Sequence, residues 1–156
     1  EDFPGGWHRD LGLKDLDPQA ELDLLRRPMG NLRWYLALVD DECLQIVPYS
    51  QHRPRTREEK RVLEEAQHED LPGQCQVPLR AGQVLFWDGN TVHRGNMRKD
   101  TERLTLAASW QRHSEDDKPV AKIDDRFAWR LQGKVRAALP PALQGYYDRW
   151  RALQPD

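Results

Sequence analysis

Two imidazoles and a carboxylate, His8, Asp10 and His93, are the side chains of this sequence best suited to hold a metal ion together. His8 and Asp10 are two residues apart, and in an extended segment residues i and i+2 point the same way. Both can therefore reach one ion. A distant His completes a 2-His-1-carboxylate facial triad, which holds non-haem Fe(II) on one face and leaves the other positions open to exogenous ligands. Arg103 follows His93 by ten residues. Its guanidinium can grip a carboxylate through paired N–H bonds, and the Thr105 hydroxyl lies on the same strand face. Together they suit a dicarboxylate cosubstrate beside the ion. Two other readings use the same residues: a Zn(II) hydrolase with Arg103 on its substrate, and a non-catalytic cupin-like protein whose metal site is structural or lost.

Strands must deliver these groups. Leu32 to Val39 alternates, with Leu32, Trp34, Leu36 and Leu38 on one face and Arg33, Tyr35, Ala37 and Val39 on the other. Asp40-Asp41-Glu42 reads as a polar turn, and Cys43 to Val47 as a second strand. Gln76–Leu79 and Val84–Trp87 follow as strands. Asp88-Gly89 is a hairpin signal, because a tight primed turn needs positive φ at both central residues; Thr91 to Arg94 would be the partner strand. In the Glu102–Trp110 strand, Arg103, Thr105, Ala107 and Ser109 form a small polar face that suits a cavity. Leu104, Leu106, Ala108 and Trp110 form an apolar face that suits packing.

Helical pieces complete the pattern. Asp17 and Pro18 resemble an N-cap and first-turn pair within a loop and short helix from Asp15 to Arg27. Thr56 to Glu69 reads as a short, mostly exposed helix with i,i+4 charge pairs. Phe127–Leu139 and Ala142–Leu153, separated by Pro140-Pro141, form a helical tail. Many short strands followed by helices predict a mainly β fold, a double-stranded β-helix of the jelly-roll or cupin-like kind. The 156 residues are read as one domain, with a β core over about 7–112 and a helical tail over about 124–154. A metal motif at residue 8 lacks neighbouring strands upstream, so an N-terminal part of the domain is expected to precede this sequence.

Bulk properties narrow the partners. The formal net charge is −2, so no basic field favours nucleic acid or an anionic membrane. No apolar run approaches the ~18 residues of a membrane span. Cys43 and Cys75 make no framework, which favours a reduced, cytoplasmic setting, with any N-terminal targeting segment beyond what this sequence covers. The partner is a small-molecule substrate, and the protein a monomer or homodimer.

Several stretches match one family in order. Trp7-His8-Arg9-Asp10-Leu11, the strand around Trp34, Ile46-Val47-Pro48-Tyr49-Ser50-Gln51-His52, Ala81 to Asp88, and His93-Arg94-Gly95-Asn96 with Arg103 resemble the phytanoyl-CoA dioxygenase family over about Trp7–Trp110. The resemblance implies an Fe(II)- and 2-oxoglutarate-dependent oxygenase on a double-stranded β-helix. It implies His8, Asp10 and His93 as iron ligands and Arg103 with Thr105 as the site of the distal carboxylate. Trp34 falls where a cosubstrate-contacting Trp can stand, or is a plain core residue. The departure is Pro48-Tyr49-Ser50-Gln51-His52, where the family often reads Pro-Gly-Ser-His. The implied reaction consumes 2-oxoglutarate and O2, with ascorbate as an accessory reductant. It releases succinate and CO2 and hydroxylates a C–H bond. Asp10 argues for hydroxylation or desaturation, since related halogenases carry a small residue there. No CoA-binding motif is present.

The remaining candidates have plainer readings. His52, His68 and His113 are expected to be bystanders, and Asp88 a turn residue. The charged run Arg53–Asp70 is read as a solvated face, with a lid over the pocket as the alternative. Tyr146, Tyr147 and Trp150 suit packing or a dimer contact.

Overall fold

In the computed structural model, which describes residues 3–10, 16–112, 123 and 125–155, the expected strands form, but apart from β3 and β4 they do not pair as sequence neighbours. The order is β1 (Phe3–Pro4), α1 (Pro18–Leu25), β2 (Asn31–Ala37), β3 (Leu44–Ile46), α2 (Arg57–Glu65), β4 (Cys75–Gln76), β5 (Val84–Asp88), β6 (His93–Met97), β7 (Thr105–Gln111), α3 (Gly133–Ala138) and α4 (Pro141–Ala152). Short 3₁₀ segments span Ser50–His52 and Asp125–Leu131. The chain divides into two compact units, Glu1–Arg112 and His113–Asp156, a division that falls between the expected β core and helical tail. None of the helices among the described residues is long and apolar enough to cross a membrane.

The first unit is β-rich. One antiparallel sheet runs β1-β6-β3-β4 and the other β5-β2-β7. Among the described residues these sheets do not close into a barrel. The expected Asp88-Gly89 hairpin is corrected: β5 pairs with β2, while β6 pairs with β3 and β1. The segment is a sheet-to-sheet turn. Asp88 accepts from Asn90 N through its side chain (2.8 Å) and from Thr91 N through its carbonyl (2.9 Å). The positive φ falls instead at Gly82 (+85°), in the turn where Asp40 Oδ1 accepts from Ala81 N. The expected Gln76–Leu79 strand is also shorter. Only Cys75–Gln76 pairs with β3, and Leu79 bridges to Asp41.

The core lies behind the first sheet. Trp7, Val47, Val62, Leu63, Leu71 and Val92 pack together. Val62 and Leu63 come from α2, whose start is fixed by a reciprocal cap. Thr56 Oγ1 accepts from Glu59 N (3.1 Å), and Glu59 Oε2 accepts from Thr56 N (2.7 Å). The Arg53–Asp70 run is a solvated face over much of its length, with Arg57, Glu58, Glu64, Glu65 and Glu69 exposed, but it also carries buried charge. Glu59 is buried and takes two bonds from Arg53 at 2.7 Å, and fully buried Glu21 lies between Arg9 (2.6 Å) and Arg55 (3.1 Å). Buried charge persists where it is paired in this way. α1 begins as expected, with the Asp17 side chain accepting from Gln19 N and Ala20 N, while Asp15 lies outside the described residues.

The second sheet is covered differently. Its apolar face, expected to pack, is exposed at Phe86 (57%), Leu104 (53%) and Leu106 (52%).

The second unit is helical. The expected helix Phe127–Leu139 divides into the 3₁₀ segment and α3, with the break at Gln132. Arg136 pairs with Asp148 through two bonds of 2.7 and 2.9 Å. Tyr147 donates to the Arg130 carbonyl (2.7 Å) and packs against Trp150.

Candidate metal centre and cosubstrate anchor

His8 and His93 face each other across an antiparallel bridge. Each backbone amide donates to the other's carbonyl at 3.0 Å, and the rings lie 4.3 Å apart. Each Nδ1 lies 2.8 Å from a carbonyl two residues earlier, Gly6 for His8 and Thr91 for His93. A carbonyl only accepts, so Nδ1 carries the proton and Nε2 keeps the lone pair. Asp10 joins them through its backbone, with its amide donating to Gly89 O (3.0 Å). Ligand atoms of His8, Asp10 and His93 lie within 4.8 Å of one another. Burial, with His8 nearby, pushes the His93 pKa down to about 4. The imidazole is neutral near pH 7, as metal binding requires.

The residues flanking the ligands are anchors, because alternation turns them to the opposite face. Trp7 is buried and donates Nε1–H to Glu69 O (2.8 Å). Arg9, the middle of His-x-Asp, donates to Glu21 (2.6 Å), Ser50 O (2.6 Å) and Arg53 O (3.0 Å). On the other strand, Val92 N donates to Ser50 Oγ (2.7 Å). Arg94 lies over the Trp7 ring at 4.6 Å and donates to Gln45, Asp70 and the carbonyls of His68 and Glu69. His68 thus meets the site's support through its carbonyl. His52 and His68 are not in the triad cluster, and His113 lies outside the described residues.

Three residues shape Asp10 that sequence reasoning missed. Arg33 of β2 clasps both carboxylate oxygens (Nε–Oδ2 2.6 Å, Nη2–Oδ1 2.8 Å), and Asn31 Nδ2 stands 3.3 Å from Oδ2. Gly89 leaves the room: a Cβ there would overlap Asp10 Oδ2. This glycine serves close approach rather than positive φ. Burial raises the Asp10 pKa, but the Arg33 hydrogen bonds and charge outweigh it and hold the group below its ordinary value.

Aromatic rings lead from the triad to Arg103. Trp87 lies 6.0 Å from His93, Tyr35 lies 4.5 Å from Trp87, and the Arg103 guanidinium stands 5.6 Å over Tyr35. Arg33 and Tyr35 share the inner face of β2. Trp34 falls between them on the outer face, in register with Phe86 and Ala108. Arg103 precedes β7, and its Nε donates to Asp41 Oδ2 at 2.9 Å. Thr105 Oγ1 donates to the same oxygen at 2.6 Å, and Cys43 N to Oδ1 at 2.7 Å. Asp41, in the segment read as a polar turn, is 4% exposed. Its burial raises the pKa, yet bonds from Thr105, Cys43 and Arg103 together hold it below the ordinary carboxylate value. A cavity of about 220 Å³ opens here, lined in part by Asp41, Cys43, Asn96, Met97, Thr101 and Arg103.

Two lone-pair Nε2 atoms and one carboxylate fit a borderline divalent ion such as Fe(II), and three protein ligands leave open positions. No curated protein matches the chain. The family profile described as phytanoyl-CoA dioxygenase (PhyH) matches residues 4–105, a stretch that holds the whole triad and Arg103. The chain belongs to the phytanoyl-CoA dioxygenase family, in general a family of Fe(II)- and 2-oxoglutarate-dependent oxygenases.

Proposed function

We propose that this protein is an Fe(II)- and 2-oxoglutarate-dependent dioxygenase that hydroxylates a C–H bond of a small organic substrate. 2-Oxoglutarate and O2 are consumed, and succinate and CO2 are released. The observation that carries the reading is the preset triad: His8 and His93 with Nδ1 committed to carbonyls, and Asp10 beside them. The ion, when bound, supplies the activation of O2 coupled to decarboxylation of 2-oxoglutarate.

The chain's own groups divide the remaining work. His8, Asp10 and His93 hold the ion, and Arg33 keeps the Asp10 carboxylate ionised and oriented. Arg103 spends Nε on Asp41, and its terminal nitrogens take the distal carboxylate of 2-oxoglutarate. Thr105 acts through Asp41, because its proton is already donated there. Tyr35 and Trp87, whose rings run in contact from His93 towards Arg103, would shield the cosubstrate from water. Ascorbate serves as a reductant for the ion. The split of β2 from β3, and of β5 from β6, between two sheets supports a double-stranded β-helix.

The test is an anaerobic titration of the protein and Fe(II) with 2-oxoglutarate, read as a weak visible charge-transfer band. A saturable band is expected. Folded protein that binds Fe(II) but shows no band would sink the cosubstrate assignment.

A further inference from the structure

We propose that Asp41 is the positioning residue of the cosubstrate site: it holds Arg103 side-on, so that the terminal guanidinium nitrogens are presented to the dicarboxylate. This rests on the reading of Arg103 as the 2-oxoglutarate anchor. Asp41 is buried, yet both its oxygens are satisfied, by Cys43 N on one side and by Arg103 Nε and Thr105 Oγ1 on the other. Its backbone is fixed as well. Asp41 N donates to Leu79 O and Leu79 N to Asp41 O, both at 2.8 Å.

The geometry of the guanidinium decides what this does. Arg presents five N–H donors in a rigid planar fork. Asp41 takes the Nε edge at 2.9 Å, and Tyr35 lies against the guanidinium at 5.6 Å. Arg103 thus meets a carboxylate at one edge and an aromatic ring beside it, with its side chain still 27% exposed. Among the described residues the terminal nitrogens of Arg103 meet no hydrogen-bond acceptor, and Arg103 is part of the lining of a cavity of about 220 Å³. A free arginine would have to lose side-chain rotamers when it grips a carboxylate. Here Asp41 has already fixed them. The Thr105 hydroxyl fixes Asp41 in turn, which gives that residue a purpose at the site without contact to the ligand.

The experiment is a double-mutant cycle in the full chain on the Kd for 2-oxoglutarate, read from the anaerobic Fe(II) band. Metal affinity is measured separately with Co(II). Asp41→Asn is expected to weaken 2-oxoglutarate about tenfold, and Arg103→Lys, which keeps the charge but lacks the Nε edge, about a hundredfold. The double variant should match Arg103→Lys alone, because Asp41 acts through Arg103. Co(II) affinity should stay at the wild-type value in each. Unchanged binding in Asp41→Asn, or additive losses in the cycle, overturns the positioning role. Tighter binding also overturns it, since Asp41 would then be a competitor for the guanidinium. Thr105→Val retains both charges and carries the same test should Asp41→Asn fail to fold. It is expected to weaken binding about threefold, and wild-type affinity there refutes the proposal. Wild-type protein without a band is a different failure, that of the proposed function itself.

Discussion

Behind the β1-β6-β3-β4 sheet lie Trp7, Val47, Val62 and Val92, all closed to solvent, whereas the outer face of β5-β2-β7 shows Phe86, Leu104 and Leu106 to water. The first sheet carries His93 and, through the bridge, His8. The second carries Arg33, which clasps Asp10; Tyr35 and Trp87, whose rings are in contact; and Thr105, which bonds the same Asp41 oxygen as Arg103. His93 is buried and His8 is exposed, yet the residues that flank both, Trp7, Arg9, Val92 and Arg94, are all buried. Placement of the two imidazoles is a matter of buried flanking residues and a backbone bridge; orientation of Asp10 is a matter of a few polar bonds from the other sheet.

This contrast can be broken at either sheet. Trp7→Ala should cost about 3–5 kcal/mol of unfolding free energy, because it empties the core and removes a buried hydrogen bond to Glu69 O. Chemical denaturation measures it. A loss near zero would mean that the first sheet is not held from behind. Gly89→Ala comes next. The added Cβ displaces the Asp10 carboxylate, so Co(II) affinity should fall at least as far as in Arg33→Met, with the fold retained by far-UV circular dichroism. Arg33→Met removes the clasp on Asp10 and should weaken Co(II) about tenfold to a hundredfold, the usual effect of losing an outer partner of a ligand. Wild-type affinity in this variant would move Arg33 out of the site's support. The smallest effect is expected at Phe86→Ser, within about 0.5 kcal/mol, as for other exposed substitutions. A cost comparable to Trp7→Ala would show that the second sheet's outer face is covered in solution.

Reading the sequence succeeded where the signal was local. The two-residue spacing placed His8 and Asp10 on one side of an extended segment. Asp17-Pro18 marked the start of α1, and the Leu32–Val39 alternation gave β2 within two residues at its end. It failed where the decision was long-range. Both faces of β2 carry apolar groups, so alternation alone does not say which one turns inward. The structure turns Arg33 and Tyr35 inward, where Arg33 has Asp10 to clasp from a different segment. Asp88-Gly89 looked like a hairpin because turn chemistry does not say which sheet the next strand joins. The mostly exposed helix α2 buries Val62 and Leu63 as read, but Glu59 follows them inward by virtue of Arg53, a partner that helical periodicity does not reveal.

The reciprocal His8–His93 bridge has a calorimetric consequence. The two segments are already joined through backbone bonds, so an arriving ion orders little chain and buries little new apolar surface. Its binding should show a small heat-capacity change, unlike a zinc finger that folds around its metal. The ion's effect on thermal unfolding then follows mass action alone. Each tenfold increase of Co(II) above its Kd adds about 1.4 kcal/mol to the native state.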